Sequence, residues 1–173
     1  TTVSAPDSDL WWELNYHAGY FYDSGTTTND GLPTASAAQG TDVSPLATAG
    51  SRAVSFNGST SKITTFENVA SSLVGTGHRA YMAFAKSLVT PATGVHPVFD
   101  LSSGSWLTYW NNSPEAFSFY NGSSAIRAPD ATLTTNWQHW AQVYDGTNIY
   151  LYIDGLLKGQ GAISVNVSPS KLT

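Results

Sequence analysis

Glu13, Glu67 and Glu115 are the only glutamates in a chain of 173 residues, and none has an acidic neighbour two positions away. Cleaving a glycosidic bond with retention takes two carboxylates about 5 Å apart, most simply at alternating positions on one strand face. That pair is absent. A serine nucleophile would call for the strained Gly-x-Ser-x-Gly turn, which does not occur, and a thiol nucleophile is excluded because cysteine is absent. His17, His78, His96 and His139 show no metal-binding spacing such as His-x-x-x-His. The sequence therefore reads as non-catalytic.

What remains is recognition chemistry. Trp106, Tyr109 and Trp110 run into Asn111 and Asn112, and Tyr150 and Tyr152 alternate along a later segment. Sugars present apolar C–H faces that stack on Trp and Tyr rings, while amide side chains take their hydroxyls. These seven residues are the candidate ligand-binding set. Two other readings stay open: six Trp in a small domain fill its core and rim, and subunit interfaces also concentrate Trp and Tyr.

The element that must position the second pair spans residues 137–155. Its aromatic and β-branched runs are cut by Asp145-Gly146 and Asp154-Gly155, dipeptides that tolerate the positive φ of tight turns. Ile149, Leu151 and Ile153 fall on one face of a strand, and Asn148, Tyr150 and Tyr152 on the other. A two-residue turn at Asp154-Gly155 pairs Ile153 with Leu156 but sets Lys158 against Leu151, which predicts a short ladder or a bulge near Gly159.

Strands are expected elsewhere at short spacing: one or two over residues 10–22, then 53–59 paired with 62–66 through a turn at 57–61. Further strands follow at 79–88, 95–101, 106–110, 117–120 and 124–127, with Asn121-Gly122 as a hairpin signal. The strand at 79–88 is apolar on both faces, so it is expected to be central. Residues 23–50 read as a long loop, and 69–77 as a loop or a single helical turn. Ile163, Val165 and Val167 alternate as a strand. No helical periodicity runs through any long window. The fold class is all-β, an antiparallel β-sandwich, with 1–9 as an arm and 10–173 as a single domain.

Two segments carry a resemblance. The run Trp137, His139-Trp140-Ala141, Tyr144-Asp145-Gly146 and Leu151-Tyr152-Ile153-Asp154-Gly155 closely resembles the central hairpin of laminin-G-like, concanavalin A-like jelly-roll domains. Ala53-Val54-Ser55-Phe56-Asn57-Gly58-Ser59 resembles that family's preceding landmark, and Asp23-Ser24-Gly25 its early turn. The resemblance implies a jelly roll of two antiparallel sheets and a recognition or adhesion module whose partner is a glycan or surface polysaccharide. Many similar domains bind calcium at a loop rim, which makes Asp23, Asp30 and Asp100 the candidate oxygen donors here, although residues 23–30 do not match a calcium-loop pattern and solvated turns are the other reading. Family members continue into a further strand that has no counterpart after Thr173. Either the chain is cut there, or residues 10–22 fill the place, or another subunit of an assembly adds a strand to the open edge.

Composition narrows the partners. Net charge is −5 with a pI near 5.1, and seven scattered basic residues make no patch, so no nucleic-acid partner is expected. No apolar run approaches the roughly 20 residues of a membrane span, so no membrane insertion is expected. Only 11% of residues are charged, a surface chemistry common on extracellular, cell-surface and virion proteins. That leaves a structural decoration or appendage subunit of a virion or filament as the alternative function. Asn-x-Ser sequons occur at Asn57, Asn111, Asn121 and Asn166.

Overall fold

A computed structural model describes residues 12–17, 20–23, 29–34, 37–39, 53–57, 59–65, 67–68, 73–87, 95–101, 106–112, 115–129, 131, 134–169 and 171–172. The expected arm at 1–9 and most of the Asp23-Ser24-Gly25 turn lie outside the described residues. The chain forms two compact units, one of Thr1–Ala70 with Ser170–Thr173 and one of Ser71–Pro169.

The first unit opens with β1 (Trp12–His17) and β2 (Tyr20–Asp23), antiparallel as expected. Residues 23–50 are not one loop, because β3 (Gly31–Pro33) and β4 (Ala38–Gln39) lie within them. Next come β5 (Val54–Ser55) and β6 (Ile63–Thr65), but they do not pair with each other. The sheet order is β1-β2-β3-β6, and β4 pairs with β5. The turn between β5 and β6 explains this correction. Asn57 Oδ1 accepts from the backbone N–H groups of Ser59, Thr60 and Ser61 at 2.9–3.0 Å. Those donors are spent on a side chain, so no hairpin ladder starts at the turn. Buried Asn29 ties the approach to β3 to the exit of β6, donating to Glu67 O at 3.1 Å and accepting from Glu67 N at 3.0 Å.

The second unit is the sandwich. Its strands are β7 (Arg79–Ala85), β8 (Val95–Leu101), β9 (Trp106–Asn112), β10 (Glu115–Tyr120), β11 (Ala125–Pro129), β12 (Gln138–Tyr144), β13 (Asn148–Ile153) and β14 (Leu156–Ala162). They form two antiparallel sheets ordered β11-β10-β9-β8 and β14-β13-β12-β7. Alternation sorts the side chains. Trp106, Thr108, Trp110, Phe117 and Phe119 of the first sheet face Tyr81, Trp140, Gln142, Tyr144, Leu151 and Ile153 of the second, all of them buried. Rings interlock across the gap: Phe117 with Trp140 at 4.7 Å, Tyr81 with Trp106 at 5.0 Å, and Trp106 edge-on to Tyr144 at 6.2 Å. Thr108 donates to Gln142 Oε1 at 2.6 Å inside this core, a polar pin between the sheets. At one side β11 lies on β14. A Cβ at Gly159 would come within 2.5 Å of Arg127 O, and one at Gly161 within 2.6 Å of Ile126 Cδ1, so the missing side chains let the sheets close there.

Four loops tie this unit together. Asn121 and Asp145 build the same turn, each accepting with Oδ1 from the N–H groups two and three residues ahead. In the β13–β14 turn Asp154 and Gly155 take φ of 52° and 76°, the left-handed pair of a two-residue hairpin. Ile153 pairs with Leu156, and the register then slips so that Lys158 is the extra residue of the expected bulge. Buried Arg79 donates to Leu73 O and Gly75 O at 2.7 Å and to Gly77 O at 3.0 Å, capping the loop before β7 with one guanidinium. Ile163, Val165 and Val167 are buried as their alternation implies. They form no full strand, and Val167 joins Gly75 in an isolated bridge.

β7 departs from its expected central place, since among the described residues it ends its sheet. Its inward face packs in the core, while its outward face is apolar and open.

Candidate functional site

The outward face of the β7-β12-β13-β14 sheet follows from the register alone. Met82, Ala141, Tyr152 and Leu157 form one row across the four strands, and Ala80, Val143, Tyr150 and Gln160 the next. β12 contributes small residues, Ala141 and Val143, between Met82 and Phe84 on one side and Tyr150 and Tyr152 on the other. The result is a shallow trough along β12 with an aromatic wall. Met82 is 54% exposed and Leu157 48%, while Ala141, on the floor, is 8% exposed. At one end His139 stacks on Phe84 at 4.9 Å, and Lys86 Nζ lies 5.3 Å from the centre of the Trp137 ring.

Hydrogen bonds hold the tyrosine wall. Tyr150 donates its hydroxyl to Asp145 Oδ2 at 2.9 Å, so its ring is anchored at the tip as well as the base. Backbone donors from Asn148 and Thr147, then the Tyr150 hydroxyl, hold the Asp145 carboxyl down at about 2. The same bond pushes the Tyr150 phenol up. Asp154 accepts from His139 N at 2.8 Å with Oδ1 and fixes the other end of the hairpin.

Of the seven expected ligand residues, this face holds Tyr150 and Tyr152. Trp106, Tyr109 and Trp110 are core residues at 0%, 6% and 2% exposure, which corrects their place among the ligand-binding candidates in favour of the core reading. Period two sends Trp106 and Trp110 inward with Thr108, and the sandwich needs their volume. Among the described residues the indole N–H groups of Trp106, Trp110 and Trp140 have no hydrogen-bond partner. Asn111 and Asn112 belong to β9 rather than to a turn, pairing with Ala116 and Glu115, and their side chains lie outside the described residues. Met82, Phe84, His139 and Leu157 were not among the expected site residues. For Met82 and Phe84 the signal was the strand at 79–88, apolar on both faces; His139 and Leu157 join them only through the register of β12 and β14.

Asp30 precedes β3 and Asp100 lies on β8, and among the described residues no group of three or more His, Cys, Asp or Glu side chains could hold a metal ion. Asp23 ends β2, with its side chain outside the described residues.

A family model described as the concanavalin A-like lectin/glucanases superfamily matches residues 57–172, more than half of the chain. No curated protein matches it.

Proposed function

The chain belongs to the concanavalin A-like lectin/glucanases superfamily, and from that premise we propose that it is a non-catalytic carbohydrate-recognition module that binds through the trough along β12. The superfamily fits a carbohydrate-binding or adhesion role. The observation that carries the finer reading is the pair Tyr150 and Tyr152, outward on one strand, partly exposed and flanked by Met82 and Leu157. Rings presented this way stack on sugar C–H faces at a cost of little side-chain entropy, and Gln160 beside Tyr150 supplies an amide for hydroxyls. The low share of charged residues supports display on a cell surface, a secreted multidomain protein or a virion.

The test is a polysaccharide array probed with the wild-type chain and Tyr152→Ala. Losing one stacking ring should weaken the best ligand about tenfold, the equivalent of roughly 1.4 kcal/mol. Equal binding by the two proteins would remove the trough as the site.

A second reading draws on the exposure of Met82 and Leu157 at 54% and 48%. Here the same apolar band buries against neighbouring subunits of an assembly. Size exclusion with light scattering separates the two. A stable oligomer broken by Leu157→Ser would favour assembly, and a monomer that binds glycans would favour recognition.

A further inference from the structure

The Tyr150 hydroxyl has one hydrogen to give, and Asp145 takes it. The two oxygens lie 2.9 Å apart, and an ionised carboxylate can only accept. Asp145 is held in that orientation, because its other oxygen accepts from Thr147 N at 2.9 Å and Asn148 N at 2.7 Å. Toward any molecule arriving on the face, Tyr150 therefore offers lone pairs only, with a full negative charge directly behind them.

We propose that Tyr150, oriented by Asp145, selects neutral glycans that present hydroxyl donors and rejects glycans carrying carboxylate or sulfate groups at this position. The inference rests on the glycan reading of the trough and narrows it. A sugar hydroxyl donates to the Tyr150 oxygen while its ring stacks beside Tyr152. A uronate or sulfate oxygen has no hydrogen to donate and meets like charge. Asp145 is a positioning residue, since it acts through Tyr150. Among the described residues, Lys86 is over Trp137 and Lys158 is the extra residue of the bulge between Leu157 and Gly159. The depressed carboxyl agrees with this arrangement, for Asp145 stays charged at any pH at which the fold would meet a glycan.

The experiment uses matched soluble pairs that differ in charge: polygalacturonate with its fully methyl-esterified form, and dextran with dextran sulfate. Affinity electrophoresis would compare wild type, Asp145→Asn and Tyr150→Phe. Wild type should hold the neutral member at least about tenfold more tightly, and the ratio should shrink as salt is raised. Asp145→Asn should bring the ratio toward one. Tyr150→Phe, which keeps the turn, should weaken the neutral member severalfold. An acidic member bound as well as its neutral partner would overturn the proposal, as would an unchanged ratio in Asp145→Asn. Silence of wild type toward every polysaccharide would sink the glycan reading and the proposal with it. A pH titration of tyrosine ring signals by NMR separates these failures. The Tyr150 phenol should titrate above the ordinary tyrosine range in wild type and return to it in Asp145→Asn, and an ordinary wild-type titration would remove the pair even if glycans bind.

Discussion

Arg79 is a buried cation whose charge is taken up by the carbonyls of Leu73, Gly75 and Gly77 and by the face of the Trp106 ring, 5.4 Å away. Burial lowers its pKa, yet arginine stays protonated at neutral pH. Arg79→Met should cost about 3 kcal/mol in urea unfolding, because it strips several charge-assisted bonds from one loop. A loss under about 0.5 kcal/mol would show that those carbonyls find other partners. Asp145 makes a pH prediction with a definite sign. Its carboxyl titrates near 2 when folded and near 3.9 when unfolded, so its contribution is complete above about 4 and fades as pH falls toward 2. Acid unfolding of Asp145→Asn should therefore be shallower than that of wild type over this window. The turn at Asp145-Gly146 was legible in the sequence. The bond from Tyr150 was not, because a side chain reaching back across a turn leaves no periodic mark.

The β12–β13 hairpin and the bulge between β13 and β14 are legible because long, strictly alternating runs leave one register that buries Ile149, Leu151 and Ile153 together. The short strands are not. β4 and β5 have two residues each, too few for any period, and Asn57 redirected the pairing of β5 and β6. β7 misled for a different reason: two apolar faces normally mark a central strand, whereas here one of them is an open surface. Trp106 and Trp110 misled because a ring beside a turn and a ring in the core have the same letters. Gly159 is where the elements are most sensitive. Gly159→Ala should cost about 2 kcal/mol, since the added methyl meets backbone of β11 rather than a movable side chain. Thermal unfolding would show it, and an unchanged midpoint would mean that β11 and β14 separate easily.

At the scale of the molecule, a net charge of −5 and a pI near 5.1 keep the chain soluble at neutral pH and set its solubility minimum near pH 5. That acidity adds a weak, salt-screened bias against acidic polysaccharides to the local one at Tyr150. The recognition reading expects a monomer near 18.4 kDa by light scattering. Fold class was legible from punctuation and alternation, and the family from one hairpin. Which aromatic residues are surface and which are core needed the register of two sheets at once.

The segment 163–167 touches three loops made earlier in the chain, two of them far earlier. Val167 bridges Gly75, Ser164 O accepts from Asn121 Nδ2 at 2.7 Å, and Ile163 N donates to Thr147 O at 3.0 Å. During synthesis the loops at Gly75 and Asn121 are complete long before their partners leave the ribosome. The sandwich therefore has its hairpins in hand while one end stays unlatched, and closure waits on contacts between distant parts of the chain. A released chain ending before residue 163 should hold paired strands yet be cut readily around residue 75, and a chain extended through residue 167 should resist cleavage there.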